Sequence, residues 1–196
     1  MSGVRSIAGL ILAAGASRRM GRPKALLPYR DSTFLETLVA LFAAHCSPVV
    51  VVLGAAADEI QSAWGGSLAT VAFNPLYLRG QTTSMQCGLR AVPPGAEGVV
   101  FTLVDHPAVA PATLDALLAP PRPLLRVPRY QGRRGHPVWF SAELIPEFLA
   151  LAETGAARDV VHRHAGQTEF LDLADPGIVA DIDDPAAYRE LTGADV

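Results

Sequence analysis

Apolar residues recur along the chain with two spacings, and these spacings predict an alternation of strands and helices. Short continuous apolar runs, typical of strands buried on both faces of a parallel sheet, occur at 7–14, 48–54, 68–73 and 98–104. Segments with helical spacing lie between and after them, at 33–42, 58–64, 80–89 and 111–118. Thr33 and Glu36 have the form of a capping box at the first helix. We therefore expect a largely parallel sheet with right-handed crossovers.

The second half of the chain has a less regular pattern. It predicts a strand at 124–130, a tight basic turn at 131–135, helices at 141–151, 156–164 and 186–191, and strands at 168–173 and 178–182. Asp184 and Pro185 suit the N-cap and first position of the last helix. The whole pattern predicts one domain, 1–196, built as a three-layer α/β/α sandwich around a mostly parallel, Rossmann-like sheet.

Composition and charge narrow the classes of protein that the chain can belong to. Half of its 196 residues are hydrophobic, which suits a sizeable core. No apolar run reaches the roughly 20 residues of a membrane helix, so we expect a soluble protein. The net charge of -3 disfavours nonspecific binding to nucleic acid. Cys46 and Cys87 follow no metal-binding spacing, and we expect free thiols in a reducing cytoplasm.

The loop after the first strand carries the strongest chemical signal. It contains Gly15, Gly21, Arg19 and Lys24. Glycine lets backbone amides approach a ligand closely, and arginine with lysine in the same loop favours a polyphosphate. The spacing matches neither the Walker A loop nor G-x-G-x-x-G.

This loop resembles the signature L-A-A-G-x-S-x-R-M-G-x-x-K of the MobA-like nucleotidyltransferases, the molybdenum-cofactor type. The resemblance implies a fold of the nucleotide-diphospho-sugar transferase type, with nucleotide binding in the N-terminal half and acceptor binding in the C-terminal half. The matching residues are Leu12, Ala13, Ala14, Gly15, Ser17, Arg19, Met20, Gly21 and Lys24. Of these, the resemblance places Leu12, Ala13, Ala14, Gly15, Ser17, Arg19 and Lys24 on the nucleotide.

A second segment, 74–89, is also expected beside the nucleotide. The start of its helix is rich in amides and hydroxyls, a natural place for a phosphate, ribose or base edge. The family has N-P-x-x-x-x-G-x-x-x-S-x-x-x-G here, matched by Asn74, Pro75, Gly80, Ser84 and Gly88. The alternative is ordinary helix capping by Thr82 or Thr83.

Asp105 follows the fourth apolar run, where open α/β sheets bind ligands. Mg²⁺ on a polyphosphate commonly takes one or two protein carboxylates. The family carries its metal-binding aspartate in an L-x-D-x-P segment, and Asp183 resembles a second one in D-I-D-T-P. The resemblance therefore implies one Mg²⁺ held by Asp105 and Asp183. Each could instead be a turn or cap residue. We expect His106, in a polar turn, to be solvated; the alternative is that it contacts the ligand.

The basic turn resembles the family's G-x-x-G-H-P segment, which faces the acceptor and implicates Gly135 and His136. Arginines and a histidine here also suit an anionic acceptor; the alternative is an exposed hairpin turn. Arg158 fits the family's G-D-x-G-A-R, but the chain has Glu153-Thr154 where the family has Gly-Asp, which leaves the acceptor pocket less defined. His162 and His164 face different ways on a helix and are expected at the surface.

Together these segments predict transfer of a nucleotide, with Lys24, Arg19 and Asp105 as the catalytic residues. A phosphate acceptor is mostly dianionic at pH 7 and needs no general base. The resemblance implies CTP and molybdopterin cofactor as substrates, with a molybdenum hydroxylase as a client. Cytidine is favoured because the guanylyl branch of the family usually reads L-A-G-G where this chain has Leu12-Ala13-Ala14-Gly15. The alternatives are a guanylyltransferase, a sugar- or alditol-phosphate transferase, and a non-catalytic pterin-binding chaperone.

Overall fold

The computed structural model describes residues 6–66 and 68–196, so residues 1–5 and Ser67 of the predicted domain lie outside the described residues. The described part contains a central sheet and a small separate hairpin formed by the second and third strands. The strands are β1 Ile7–Ala13, β2 Pro28–Tyr29, β3 Ser32–Thr33, β4 Val49–Leu53, β5 Thr70–Phe73, β6 Gly98–Leu103, β7 Leu125–Tyr130, β8 Arg133–Arg134, β9 Val138–Ser141 and β10 Thr168–Asp172.

Helices cover both faces of this sheet. They are α1 Phe34–Ala43, α2 Ala57–Trp64, α3 Gln81–Arg90, α4 Pro111–Leu118, α5 Ile145–Leu149, α6 Ala157–Arg163 and α7 Pro185–Thr192. Short 3-10 turns connect several of them, and one at Lys24–Leu26 follows the glycine-containing loop. None of the helices in the described ranges is both long and apolar enough to cross a bilayer.

The strand order is β10-β7-β9-β6-β1-β4-β5, with β8 paired to β7. β1 runs parallel to both β4 and β6, and β4 runs parallel to β5. The direction changes at β9, which is antiparallel to β6 and β7, and β10 then runs parallel to β7. The mostly parallel sheet expected from the sequence is confirmed, and β6 lies where its parallel part meets the antiparallel strand.

The side chains of β1 alternate between two hydrophobic clusters, because successive residues of a strand face opposite sides. Ile11 and Ala13 pack in the cluster that includes residues of α1, α2 and α4. Leu10 and Leu12 pack in the cluster that includes residues of α3, α5 and α6. A Cβ atom at Gly88 would lie 2.3 Å from Leu10 Cδ1, so glycine allows α3 to lie close against the sheet. The expected three layers are therefore present.

Two predicted helix caps have the expected geometry. Glu36 N donates to Thr33 Oγ1 at 3.2 Å, and Thr33 N donates to Glu36 Oε2 at 2.9 Å. Asp184 Oδ1 accepts from Ala187 N at 3.0 Å at the start of α7. Both caps satisfy amides that would otherwise have no partner in the first turn.

The predicted strand at 178–182 is wrong. A 3-10 turn, Pro176–Val179, takes the first two residues of this segment and the rest has no regular structure. Asp175 starts the turn by accepting a hydrogen bond from Gly177 N at 2.9 Å. The backbone then bonds to loops and not to a neighbouring strand, as His136 N donates to Ile178 O at 2.8 Å. The apolar run reflects burial between loops.

The predicted helix at 141–151 is also shorter than expected. Ser141 ends β9 and caps a 3-10 turn, Ala142–Leu144, and α5 covers only Ile145–Leu149. Pro146 lies in the first turn of α5, the position where proline is tolerated.

Candidate active site

The loop between β1 and the 3-10 turn Lys24–Leu26 is closed by its own serine. Ser17 Oγ accepts a hydrogen bond from Lys24 N at 3.1 Å, and Ser17 O accepts one from Met20 N at 3.0 Å. Ser17 has φ 47° and Gly21 has φ 74°, so the chain turns sharply at both positions. Met20 is buried and anchors the loop to the core. The loop thereby directs Lys24 toward the carboxyl ends of β1 and β6.

At that edge, Lys24 Nζ donates to two aspartates that are 81 and 159 positions away in the chain. The distances are 3.1 Å to Asp105 Oδ2 and 2.6 Å to Asp183 Oδ1. Arg19 Nη2 donates to Asp183 Oδ2 at 2.7 Å. The hydrogen bonds from Lys24 and Arg19 hold the pKa of Asp183 below its ordinary value. We call these four residues the ion cluster.

The two carboxylates of the ion cluster lie on either side of the Lys24 ammonium. Because both contact the same ammonium, the two contacting oxygens are at most about 6 Å apart. A backbone hydrogen bond of 2.9 Å from Ile182 N to Asp105 O fixes one loop to the other. Asp105 Oδ1 is buried and has no hydrogen-bond partner among the described residues. Such an oxygen suits a hard divalent cation.

The described residues contain no group of three or more His, Cys, Asp or Glu side chains that could hold a metal. A cation at the ion cluster would therefore have two protein carboxylates and would take its other oxygens from phosphate and water. This is the usual arrangement for Mg²⁺ on a polyphosphate.

The ion cluster lies in a cavity of about 360 Å³, which we call the first pocket. Most residues predicted for the nucleotide line it: Leu12, Ala13, Ala14, Gly15, Ser17, Arg19, Lys24, Gly80 and Ser84, together with Asp105 and Asp183. Arg18, Ile60, Tyr77 and Gln81 also line it, and the sequence analysis did not single them out. Gly54 could have indicated Tyr77, since a Cβ there would lie 2.6 Å from Tyr77 Cβ.

Asn74 is the predicted nucleotide residue that does not line the first pocket. It is buried, and its side chain donates to Thr83 Oγ1 at 3.0 Å and Ser84 Oγ at 2.9 Å. Its own oxygen accepts from Leu76 N at 3.0 Å. The amide therefore holds the start of α3 in place beside the pocket.

A second pocket of about 350 Å³ lies on the other side of β6 and shares Gln81 and Leu103 with the first. Gly135, His136 and Arg158, all predicted for the acceptor, line it together with Arg134. The remaining wall is largely apolar and includes Met85, Phe101, Val127, Val138, Phe140, Phe148 and Val161. The basic turn is a hairpin, since β8 pairs antiparallel with β7.

Two histidine rings pack against each other, and one of them, His136, lines the second pocket. The ring centroids of His106 and His136 are 5.0 Å apart, and neither Nδ1 atom has a hydrogen-bond partner among the described residues. The prediction that His106 is solvated is wrong, because the side chain is buried. Burial lowers the pKa of His106. Burial, and the neighbouring His106 to a smaller degree, lower the pKa of His136 to about 4.

Both histidines are therefore neutral at pH 7, and the positive charges of the second pocket belong to Arg134 and Arg158. Arg134 lies over the Phe170 ring, with its guanidinium carbon 4.9 Å from the ring centroid. Arg158 is exposed, and its side chain has no hydrogen bond or ion pair within residues 6–66 and 68–196. It is free to contact an anion.

His162 and His164 do not form a site together. His162 is exposed as predicted, whereas His164 is partly buried and its Nε2 lies 2.7 Å from Glu147 Oε1. Hydrogen bonds with Gln167 and Glu147 raise the pKa of His164.

Comparison with known proteins gives the family. The model of the MobA-like NTP transferase domain matches residues 9–168. The chain belongs to this family. The matched range contains the whole lining of the second pocket and all of the first pocket's lining except Asp183. The chain is accordingly a nucleotidyltransferase of the MobA-like type, as the motif resemblance implied.

Relatives in this family have different named activities. Nicotine blue oxidoreductase of Paenarthrobacter nicotinovorans is 31% identical over 189 residues, which cover 90% of this chain and 92% of the relative. Molybdenum cofactor cytidylyltransferase of Escherichia coli (strain K12) is 26% identical over 177 residues, with 90% of each chain covered. A probable molybdenum cofactor guanylyltransferase of Mycobacterium avium (strain 104) is 32% identical over 123 residues, 60% of this chain and 59% of the relative.

Solved structures agree with the family. Rv0371c of Mycobacterium tuberculosis H37Rv has a TM-score of 0.84 and 33% identity, with 97% of this chain and 99% of that chain covered. The same protein in complex with manganese has a TM-score of 0.78 and 32% identity, with 96% and 99% covered. The 4-diphosphocytidyl-2C-methyl-D-erythritol synthase of Anaerococcus prevotii DSM 20548 shares only the fold, with a TM-score of 0.76, 12% identity, and 96% and 95% covered.

Proposed function

We propose that the protein transfers CMP from CTP to the terminal phosphate of molybdopterin cofactor and releases pyrophosphate. The observation that carries the proposal is the ion cluster in a pocket that adjoins a second one. Lys24, Asp105 and Asp183 lie in a pocket lined by the signature loop, and a second pocket with free arginine charge adjoins it. A triphosphate in the first pocket would thus have an acceptor phosphate beside its α-phosphorus.

The residues of the first pocket would bind the triphosphate by charge and by backbone amides. Arg19 and Lys24 supply cations, and the small residues Ala14 and Gly15 let the loop backbone approach the phosphates. Asp105 and Asp183 would hold Mg²⁺, with the manganese complex of a relative as support for a divalent cation at such a site. The metal supplies charge neutralisation on the phosphate oxygens.

The reaction needs positioning more than proton transfer. An oxygen of the acceptor phosphate forms a new bond to the α-phosphorus, and the bond from that phosphorus to the bridging oxygen of pyrophosphate breaks. Because the second pKa of a phosphate monoester is about 6, the nucleophile is already mostly deprotonated at pH 7. The neutral state of His106 and His136 fits this mechanism, which asks for no general base.

The preference for cytidine rests on Ala14, the position at which the guanylyl branch has glycine. Ala14 is buried in the wall of the first pocket, and its methyl group takes space that glycine would leave to a larger base. The apolar second pocket with two arginines at its wall suits a flat organic body with an anionic group. We further infer a molybdenum hydroxylase as client and the cytoplasm as the location, where the free cysteines Cys46 and Cys87 stay reduced.

The proposal is tested by measuring pyrophosphate release from purified protein with Mg²⁺, each nucleoside triphosphate and molybdopterin cofactor. We expect kcat/KM for CTP to exceed that for GTP at least tenfold. An equal or higher value with GTP would instead make the protein a guanylyltransferase. Pyrophosphate release that occurs only with a sugar or alditol phosphate would show that this phosphate, and not molybdopterin cofactor, is the acceptor.

A redox activity is the second candidate, because one relative that spans almost the whole chain is named an oxidoreductase. The largely apolar second pocket could hold a planar dye as well as a pterin. The same protein is therefore incubated with nicotine blue and a reduced nicotinamide dinucleotide as electron donor. Loss of the dye's absorbance without pyrophosphate release from any triphosphate would favour this candidate.

A further inference from the structure

Lys24 occupies the space between the two carboxylates that the proposed metal site uses. Its Nζ lies 2.6 Å from Asp183 Oδ1 and 3.1 Å from Asp105 Oδ2. The side chain of Lys24 is 12% exposed and that of Asp105 is 17% exposed, so this contact is largely shielded from water. A divalent ion bonded to both carboxylates, at metal–oxygen distances of about 2.1 Å, would need the space that the ammonium fills.

Lys24 is the single lysine in the sequence. The chain's cationic side chains number 16, and every one except Lys24 is an arginine. An ammonium is a compact charge with three donors on a flexible four-carbon stem, whereas a guanidinium is a wide, planar fork. Lysine is therefore the cation that can lie between two carboxylates and still turn away to a phosphate in the same pocket.

The loops would keep the two carboxylates close together after the ammonium leaves. The hydrogen bond from Ile182 N to Asp105 O joins their backbones, and Ile182 is buried at 3% exposure. The spacing of Asp105 and Asp183 is thus set by the backbone as well as by Lys24.

We propose that Lys24 and the divalent cation compete for Asp105 and Asp183, so that the metal enters together with the triphosphate and not before it. Without nucleotide, the ammonium of Lys24 and the guanidinium of Arg19 together neutralise the two carboxylates. When a triphosphate binds, its oxygens give Lys24 a new partner and complete the coordination of the metal. A ligand that favours one of two arrangements shifts the balance only by its different affinity for them, and here the phosphates supply that difference.

This inference rests on the proposed metal site, but its test needs no turnover. Binding of Mn²⁺ alone is measured by calorimetry for the wild type, Lys24→Met and Lys24→Arg. We expect Lys24→Met to bind Mn²⁺ at least tenfold more tightly than the wild type, and Lys24→Arg to show no gain. The matched control is Arg18→Met, which removes the same charge from an exposed residue of the same pocket and should change the affinity less than threefold.

A second measurement uses the wild type, so it does not depend on whether a variant folds. A sample made with ¹⁵N-labelled lysine gives one ζ-ammonium resonance, because Lys24 is the only lysine. We expect millimolar Mg²⁺ alone to leave this resonance in place, and Mg²⁺ with a non-cleavable α,β-methylene CTP or GTP to shift it. A full shift with Mg²⁺ alone, or Mn²⁺ affinities for Lys24→Met and the wild type that agree within threefold, would overturn the proposal. Neither result depends on pyrophosphate release, which tests the proposed function separately.

Discussion

The two pockets on either side of β6 are lined by different kinds of side chain. The first is organised by ionised side chains, with Lys24 between Asp105 and Asp183 and with Arg19 at the rim. The second has a largely apolar wall that includes the neutral His136, and its charges are on Arg134 and Arg158. The contrast indicates that the first pocket stabilises charge on phosphate and that the second recognises the shape of the acceptor. It also predicts which parameter each substitution changes.

The largest effect is expected from Asp105→Asn. This change removes a charge but keeps the shape, so the protein should fold while the compensation of charge on the α-phosphate and pyrophosphate is lost. We expect kcat to fall by about 10²–10³-fold or more, the size seen when one group that stabilises a transition state is removed. Asp183→Asn should act in the same direction.

The control for these variants is Asp181→Asn, which removes the same charge from an exposed position two residues before Asp183. Its kcat should stay within about twofold of the wild type. If Asp105→Asn retained normal kcat with a normal melting temperature, the first pocket would not be the place where charge is stabilised.

A smaller effect, confined to the acceptor, is expected from substitutions in the second pocket. Arg158→Ala and His136→Ala should each raise the KM for the acceptor about tenfold, the size of one lost hydrogen bond to a charged or polar group. The dissociation constant for CTP, measured by calorimetry, should not change.

Arg163→Ala is the matched control for Arg158→Ala, since both arginines belong to α6 and Arg163 pairs instead with Glu147 at 3.2 Å. A parallel loss of CTP affinity in Arg158→Ala would show that the two pockets do not bind separate substrates.

The smallest effect is a pH dependence of stability from the buried histidines. The folded-state pKa of His136, about 4, lies below the value of about 6.5 expected in the unfolded chain. Between these values the unfolded chain binds more protons, so the free energy of unfolding should fall as pH is lowered from 6.5 toward 4. The slope from one histidine is at most about 1.4 kcal/mol per pH unit.

Urea unfolding between pH 4.5 and 7.5 measures this slope. His136→Gln should flatten it, whereas His162→Gln, which replaces an exposed histidine, should leave it unchanged. An unaltered slope in His136→Gln would mean that His136 is not kept neutral by folding, which would weaken the contrast between the pockets.

Local signals explain why much of the fold could be predicted. The capping box of Thr33 and Glu36 and the continuous apolar runs of β1, β4 and β6 are each contained in a few adjacent residues. The signature loop is equally local, and its predicted residues do line one pocket. The antiparallel position of β9 between β6 and β7 is not local, since it depends on pairing between distant segments.

The wrong predictions also concern structure that depends on contacts between distant segments. In the run at 178–182, Ile178 and Ile182 are buried between loops. The spacing of apolar residues does not reveal the turn that Asp175 and Gly177 form there. His106 follows an aspartate and precedes a proline, which is typical of a solvated turn, yet the ring packs against His136. Asn74 is a separate case, because its place beside the nucleotide stays a prediction while its side-chain amide donates to Thr83 and Ser84.

The place of Asp183 in the chain has a consequence for protein synthesis. Lys24 leaves the ribosome early, whereas Asp183 follows every strand of the sheet and lies just before α7. The segment that carries it packs tightly, because a Cβ at Gly177 would lie 2.2 Å from Ala108 O and one at Gly135 would lie 2.1 Å from Ile178 O. A nascent chain that has folded its sheet thus still lacks one of the two carboxylates. The enzyme should consume no triphosphate until the segment that carries Asp183 has been translated and packed.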